Sequence, residues 1–540
     1  MKKPYKIALS ILSGVILSLG WYESGSGLFL LVGFIPLLFL EDQIISDPKR
    51  KKRSLSVFLY ASLAFSTWNL ITTWWIKNAS FAGMIAAVLV SSFLMSIPFW
   101  LYAITKKTWG RSIGYVSLVI YWLAYEFSYT HGEISWPWLT LGNGFAFDII
   151  LIQWYEYTGV FGGTLWVLTV NIFLYELIRR KIAGGSIGVI YGLLAISVVL
   201  IIFPVLFSVI RYYNYNEKND PREIVIVQPS IDPYLKFYDI PSIEQTQIQL
   251  LLAEKLVTPA TDYVASPETS INHNIWIDHI QNVPDIRMIK DLVRRYPRLK
   301  YITGITCYQQ YKEWERTKTS KPLTGSDRYY DSFNSAIQID STGNIPIYHK
   351  SKLVIGVEKM PYPGMLNILQ PLAIRLGGTF QNHGTQKDRS IFSSVDGSVK
   401  IAPVICYESE YGEYLTEYIK KGANMIFVIT NDGWWGNTPG HRQHNALSRI
   451  RAVETRRSIA RSANTGISSF INQRGDILDK LNWWQRSAIK NKLNINDQLT
   501  FYVLHGDYIA RNSFYLAVIM LLSVLAKRVI MRYRKDPGQK

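Results

Sequence analysis

The chain has 540 residues, of which 48% are hydrophobic and only 18% are charged. This length excludes a single ordinary domain, and the low share of charged residues indicates a membrane part. The formal net charge of +18 does not indicate nucleic acid binding, because many Lys and Arg residues stand in short clusters beside long apolar runs, where they control membrane topology.

Long apolar stretches dominate both ends of the chain. A membrane-spanning helix needs about 20 mostly apolar residues. On that criterion we predict a transmembrane helical domain with about seven spans over residues 1–211, and a final span with a basic tail over residues 511–540. The predicted spans are Ile7–Tyr22, Ser24–Leu40, Ser54–Ile76, Ala79–Thr105, Ser112–Tyr125, Tyr157–Tyr175, Ile182–Ile210 and Asn512–Ala526.

The basic clusters between these stretches predict the orientation of the chain. They lie at residues 49–53, 106–111, 179–181 and 527–535. If the N terminus is cytoplasmic, every one of these clusters falls on the cytoplasmic side, as the positive-inside rule requires. Because successive spans cross the membrane in opposite directions, this orientation places the long segment 212–510 on the opposite, external side of the membrane.

The segment 212–510 has a different pattern, with short apolar runs separated by polar turns that contain Gly and Pro. Such runs alternate with helical stretches, for example residues 243–256 and 443–457, which is typical of an α/β domain with a buried sheet. In such sheets, polar residues just beyond the strand ends tend to form the functional site. The predicted strands include residues 223–228, 301–306, 399–405 and 425–430.

Three polar residues follow predicted strands in this segment, namely Glu268, Lys350 and Cys406. A thiol attacks as its thiolate, which a nearby ammonium favours, and a carboxylate within hydrogen-bond reach can accept the proton. An ammonium can also stabilise an oxyanion. The other cysteine, Cys307, matches no such position and is expected to pack in the core. The sequence shows no His and Cys cluster at metal-ligand spacing, so we expect neither a metal nor a cofactor.

Together the three segments resemble the nitrilase superfamily, in which Glu, Lys and Cys occur in this order along the chain. The lysine segment, with Tyr348 before Lys350 and with Glu358 eight residues after it, resembles that of the apolipoprotein N-acyltransferase family, the membrane-embedded branch. Further segments that carry the resemblance are Val227–Ile231 with Lys236, Ile405–Glu408, Asn431–Gly436, Gln443–His444, Arg449–Arg457 and Arg461–Gly466.

This resemblance implies an α-β-β-α sandwich over residues 212–510, facing the periplasm from the bacterial inner membrane. It implies transfer of an acyl chain from a membrane phospholipid to the α-amino group of the diacylglyceryl cysteine that begins an apolipoprotein, the last step of lipoprotein maturation. Cys406 is expected to carry the thioester, Glu268 to act as general base and Lys350 to stabilise the oxyanion. Glu358, Tyr407 and Glu408 are expected to assist.

Two other functions remain open from the residues alone. A membrane-anchored nitrilase-type amidase would use the same triad with water as acceptor, although a single span would suffice to anchor it. A transporter or lipid-binding protein with an inactive nitrilase domain would need polar residues inside the spans, and few isolated charges lie there. The chain also departs from the family at Ser266 and at Ile355–Val357, which leaves the acyl preference open.

Overall fold

The computed structural model describes residues 2–47, 52–237, 239–360 and 382–535. Of the residues named above, Lys49, Arg50, Lys51 and all side chains from position 532 onward lie outside this description. The chain forms two compact units. The helical unit comprises Met1–Trp74, Met84–Tyr213 and His505–Lys540, and the α/β unit comprises Trp75–Gly83 and Asn214–Leu504.

Within the described residues, seven helices are both long and apolar enough to cross a membrane. They cover Lys3–Trp21, Gly27–Ile45, Arg53–Asn78, Phe81–Trp109, Tyr155–Ile182, Ile187–Asn214 and Tyr508–Met531. The predicted span Ser112–Tyr125 corresponds to a helix of 21 residues, Arg111–His131, which is long enough but is not one of these seven. It begins with Arg111 and contains a buried Glu126, so its composition is less apolar than that of the others.

Buried ion pairs join the helix ends that carry the second basic cluster. Lys106 Nζ lies 2.5 Å from Glu41 Oε2, and both side chains are buried. Lys106 also pairs with Asp42, which lies 2.6 Å from Arg111 Nη1. Three helices thus meet through charges that would be costly to bury alone, and mutual pairing reduces that cost.

Fourteen described strands form two sheets in the α/β unit. The first sheet has the order β14-β1-β2-β4-β6-β5, with β3 beside β4 and β7 beside β6, and the second has the order β13-β12-β11-β10-β9-β8. The strands are β1 Pro221–Gln228, β2 Tyr263–Ala265, β3 Ile271–Trp276, β4 Lys300–Tyr311, β5 Lys321–Pro322, β6 Tyr329–Ile339, β7 Ile347–His349, β8 Phe392–Ser393, β9 Lys400–Ile405, β10 Met425–Thr430, β11 Ile459–Ala463, β12 Ser469–Ile471, β13 Ile477–Lys480 and β14 Ser487–Asn494.

The two sheets pack face to face with helices on their outer faces. The Tyr263 ring on β2 lies 5.4 Å from the Phe427 ring on β10, and β1 contacts β11. Helices Ser242–Glu254 and Pro284–Arg295 contact the first sheet, whereas Gly412–Lys420 and Pro439–Thr455 contact the second. The predicted α-β-β-α sandwich, beside a multi-span helical part, is therefore confirmed.

The burial of the central strands explains why short apolar runs in the sequence predict strands. Residues 224–227 of β1 and all of β10 are buried, because helices cover one face and the other sheet covers the opposite face. β1, β2 and β4 run parallel in the first sheet, and β9, β10 and β11 run parallel in the second. Parallel strands end at the same edge, so the residues that follow them come close together.

The segment Trp75–Gly83 covers the end of the third predicted span and the start of the fourth, yet it belongs to the α/β unit. Trp75 Nε1 donates to Gln443 Oε1 over 3.2 Å, and Asn78 Nδ2 donates to the Trp435 carbonyl over 2.7 Å. The Trp75 and Trp435 rings are 4.8 Å apart. The end of the third span therefore packs on residues 435–443.

Candidate active site

The three predicted residues converge because each follows a strand. Glu268 lies beyond β2, Lys350 follows β7 directly and Cys406 follows β9 directly. Lys350 Nζ lies 2.8 Å from Glu268 Oε1. Cys406 is close enough for both charges to act on its thiol. All three side chains are buried, so these charges interact with little screening by water.

Lys350 is held by two carboxylates. Its Nζ lies 2.8 Å from Glu268 Oε1 and 2.9 Å from Glu358 Oε1, and the side chain is only 1% exposed. Burial alone would lower the pKa of this ammonium, but the charges of Glu268 and Glu358 outweigh burial and hold the pKa above its ordinary value. Lys350 is thus a fixed cation at the centre of the site.

Asn334 on β6 joins the two carboxylates. Its Nδ2 donates to Glu268 Oε1 over 2.7 Å and to Glu358 Oε1 over 2.9 Å. The carbonyl of Asn334 also accepts from the backbone N–H of Lys350 over 2.8 Å. The sequence did not indicate Asn334, although it contacts every charged neighbour of Lys350 described above.

The second oxygen of Glu268 and its backbone are fixed by other segments. Oε2 accepts from the backbone N–H of Asn431 over 3.1 Å. Lys236 Nζ donates to the Glu268 carbonyl and to Thr269 Oγ1, each over 2.9 Å. Burial lowers the pKa of Lys236 to about 7. Glu268 therefore cannot rotate freely, which suits a base that must meet its proton in one orientation.

Cys406 occupies a strained turn. Its φ of 50° lies in the left-handed region, which residues with a Cβ rarely adopt. The residue begins the short helical turn Cys406–Glu410, where Ser409 Oγ donates to the Cys406 carbonyl over 2.8 Å. Strain of this kind at a strand end is typical of functional sites.

The surroundings of Cys406 favour the neutral thiol over the thiolate. Burial raises the pKa of Cys406 well above its ordinary value, the charges of Glu268 and Asp432 raise it further, and Lys350 offsets only part of this effect. Removal of this proton would need a base, and Glu268, whose charge acts on the thiol, is the predicted candidate.

The predicted assisting residues take different positions. Glu358 contacts Lys350 directly. Glu408 instead accepts from the backbone N–H of Ser351 over 2.8 Å and from that of Ile405 over 2.9 Å. Ser351 follows Lys350 and Ile405 precedes Cys406, so Glu408 links the turn at Lys350 to the turn at Cys406. The buried Tyr407 packs its ring 5.3 Å from that of Tyr411.

A second polar group lies behind Cys406. Ligand atoms of Cys406, Asp432 and His444 lie within 4.8 Å of one another, which raises the question of a metal. Arg461 Nη2, however, lies 2.8 Å from Asp432 Oδ2 and 2.9 Å from His444 Nδ1. A guanidinium at that distance disfavours a metal cation at the same atoms. Asp432 and His444 therefore form an internal polar network with Arg461.

Comparisons with known proteins cover both parts of the chain. The family model for the apolipoprotein N-acyltransferase N-terminal domain matches residues 13–173, and the carbon-nitrogen hydrolase model matches residues 305–497. The second match includes Lys350 and Cys406, whereas Glu268 precedes it.

Curated relatives match almost from end to end. An apolipoprotein N-acyltransferase of Chlorobaculum tepidum is 28% identical over 539 residues, covering 98% of each chain. Proteins of that name from Thermotoga maritima and Geobacter metallireducens are 25% and 24% identical and cover 98% and 93% of this chain. Together with the two family models, these relatives show that the chain belongs to the apolipoprotein N-acyltransferase family.

Proposed function

We propose that this protein transfers an acyl chain from a membrane phospholipid to the α-amino group of the diacylglyceryl cysteine that begins an apolipoprotein. The observation that carries the proposal is the buried Glu268–Lys350–Glu358 group beside Cys406. It occurs in a chain whose helical part matches the N-terminal model of this family and whose α/β part matches the carbon-nitrogen hydrolase model.

The first half-reaction would load the enzyme. Glu268 accepts the proton of the Cys406 thiol while the sulfur attacks the ester carbonyl of the phospholipid. Lys350, which stays charged because of its two carboxylates, stabilises the oxyanion of the tetrahedral intermediate. When the intermediate collapses, the carbon–oxygen bond breaks and Glu268 returns the proton to the lysophospholipid oxygen. The acyl group remains on Cys406 as a thioester.

The second half-reaction would use the same groups in reverse. The neutral amine of the acceptor attacks the thioester, and Glu268 accepts a proton from the attacking nitrogen. Lys350 again stabilises the oxyanion. Collapse breaks the carbon–sulfur bond, and the proton returns from Glu268 to the sulfur, which restores the thiol. Two such steps predict ping-pong kinetics, with lysophospholipid released before the acceptor binds.

The proposal includes an orientation. We place the catalytic residues 212–510 in the periplasm and residues 1–211 and 511–540 in the bacterial inner membrane with cytoplasmic basic clusters. The clusters at 106–111 and 179–181 support this placement. The contacts of Trp75 and Asn78 with the α/β unit also support it, because the third span ends on the external side in this topology.

Mass spectrometry of the purified protein after incubation with phospholipid tests the proposal. We expect one added acyl mass on Cys406 that hydroxylamine removes, together with lysophospholipid, in the absence of any acceptor. Cys406→Ser should carry no acyl group. Cys307→Ser is the matched control, because Cys307 is a buried core residue on β4, and it should load normally.

Two results would contradict this function. Release of lysophospholipid only in the presence of acceptor, without a trapped acyl-enzyme, would replace the covalent mechanism by direct transfer. Rapid release of free fatty acid, with no transfer to a diacylglyceryl-cysteine peptide, would indicate water as the acceptor and a hydrolase.

A further inference from the structure

Two cationic side chains lie on tyrosine rings close to the catalytic turns. Lys352 Nζ is 4.4 Å from the centroid of the Tyr411 ring and 5.8 Å from that of Tyr414. Arg389 Cζ is 3.7 Å from the Tyr414 centroid. Lys352 follows Lys350 by two residues, and the Tyr411 ring packs on Tyr407, the residue after Cys406. We call Lys352 and Arg389 the cation pair.

The cation pair lacks a buried anion. In the part of the chain that the structure describes, no carboxylate forms an ion pair with Lys352. Arg389 Nε lies 3.3 Å from Glu417 Oε2, but that carboxylate side chain is 51% exposed. Arg389 Nε is itself buried and makes no hydrogen bond within the described residues.

Like charges are gathered at this place. Burial lowers the pKa of Lys352, and the charges of Arg389 and Lys359 lower it further. The charges of the buried Glu408 and the exposed Glu417 offset only part of this effect on the pKa of Lys352. Contacts with aromatic faces favour each cation singly, but they do not explain why two cations are held together. An anion between or beside them would offset the repulsion.

We propose that the cation pair is the subsite for the phosphate of the acyl donor. This rests on the proposed function, because it assigns a place to the head group of the phospholipid whose ester reaches Cys406. Guanidinium and ammonium groups are the side chains that bind phosphate in proteins. In a glycerophospholipid, only the short glycerol backbone separates the phosphate from the acyl esters. A phosphate site near Cys406 therefore suits this donor, and Lys352 contacts Tyr411, whose ring packs on that of Tyr407, the residue after Cys406.

Two acyl donors separate this role from a structural one. A glycerophospholipid carries the phosphate, whereas p-nitrophenyl palmitate has a reactive ester and no phosphate. For Lys352→Met and Arg389→Met, we expect the KM of acyl-enzyme formation to rise about tenfold or more with phospholipid, since each loses a charge-assisted contact. With p-nitrophenyl palmitate, both KM and kcat should stay near wild type.

Two further variants serve as controls. Lys420→Met removes an exposed cation from the neighbouring helix Gly412–Lys420 and should change neither donor's kinetics. Lys352→Arg keeps the charge, so its KM for phospholipid should stay close to that of the wild type. If the cation pair only supports the fold, both donors will lose activity to the same degree in the Met variants, and the assignment is then wrong. Unchanged KM for phospholipid would also overturn it.

The wild-type protein provides a test that needs no variant. A diacyl galactolipid has the same esters as a phospholipid but an uncharged head group. Because this lipid loses the contacts with both cations, we expect its KM to exceed that of the phospholipid by at least the factor that Lys352→Met shows with phospholipid. Equal KM values for the two lipids would refute the phosphate subsite. Failure of the wild type to form an acyl-enzyme with any of the three donors would instead refute the proposed function itself.

Discussion

The side-chain amide of Asn334 donates a hydrogen bond to Glu268 Oε1 over 2.7 Å. The same nitrogen donates to Glu358 Oε1 over 2.9 Å, so one amide holds both carboxylates that contact the Lys350 ammonium. Without it, the carboxylates would be free to separate, and the orientation of Glu268 would be lost. Asn334 therefore positions Glu268, the proposed base.

Asn334→Ala should slow acyl loading of Cys406 by about tenfold to a hundredfold, because small displacements of a catalytic group are costly. Asn334→Asp should be slower still, since it adds a third carboxylate to the site. The rate of lysophospholipid release measures both. Gln338→Ala is the matched control, because Gln338 is a buried polar residue of the same strand β6. Equal loading by Asn334→Ala and the control would show that the amide has no catalytic effect.

Lys350→Arg keeps the charge but replaces a compact ammonium by a planar guanidinium, and the two are not interchangeable at a tight site. Lys350 is 1% exposed between two carboxylates, which leaves little room for the larger group. Loss of one oxyanion donor typically costs about 3–4 kcal/mol, so turnover should fall by about a hundredfold or more. Turnover close to wild type would remove Lys350 from its assigned role.

Glu268→Gln and Glu358→Gln should differ in the second half-reaction. Glu268 is proposed to accept the proton of the amine, whereas Glu358 only holds Lys350. A Glu268→Gln protein should load slowly and fail to pass acyl to a diacylglyceryl-cysteine peptide. Glu358→Gln should still transfer the acyl group it has loaded, at a reduced rate. Single-turnover transfer from pre-loaded enzyme measures this step. Efficient transfer by Glu268→Gln would require another base.

The sequence was sufficient to predict the strands that position the triad. β2 and β9 are short buried parallel strands with a polar residue soon after each, whereas the short β7 pairs antiparallel with β6. Taken singly, the three polar residues are weak signals, and Glu268, Lys350 and Cys406 could be named together without coordinates because their segments resemble the nitrilase superfamily. The sandwich architecture follows from the same resemblance.

Asn334 could not be found in this way. It lies within β6 among other polar residues, and its partner Glu268 is 66 positions away, so no local pattern distinguishes it from a solvated residue. The network of Asp432, His444 and Arg461 has the same character, since a turn, a helix and a strand each supply one member. Paired charges between distant segments become visible only when the fold brings them together.

The membrane part shows another limit. Eight spans were predicted from length and apolarity, and seven described helices meet both conditions. The helix Arg111–His131 buries Glu126, whose Oε2 accepts from Thr164 Oγ1 over 2.7 Å. A buried carboxylate that accepts hydrogen bonds inside the bundle makes a helix less apolar without making it unstable. A criterion based on apolarity alone therefore misses such a helix as a membrane span.

Cysteine labelling with a membrane-impermeant maleimide should verify the orientation. In intact cells that carry the Cys307→Ser protein, a cysteine at Thr324 or at the exposed Lys77 should react, because both positions are external in the proposed topology. A cysteine at Lys107, in the second basic cluster, should react only after the membrane is permeabilised. Labelling of Lys107→Cys but not of Thr324→Cys in intact cells would reverse the topology and exclude periplasmic acceptors.

Glu410 should make stability depend on pH. Both of its carboxylate oxygens are buried without a hydrogen bond among the described residues, and burial raises its pKa from 4.5 to about 8, an effect that Arg451 and Arg461 only partly offset. In the window between these two values the native state binds more protons than the unfolded chain, so this group's contribution to stability falls as pH rises.

Glu410→Gln is neutral at every pH and should remove that dependence. The Tm difference between Glu410→Gln and wild type should therefore grow from pH 5 to pH 8 in favour of the variant and then level off. Thermal unfolding in detergent measures it. Glu313→Gln, at an exposed position, should show a constant difference over this range. Because each pKa unit corresponds to about 1.4 kcal/mol of differential stabilisation, a buried carboxyl with this pKa should shift Tm by several degrees. Parallel curves for Glu410→Gln and wild type would mean that Glu410 ionises as an ordinary surface carboxylate does.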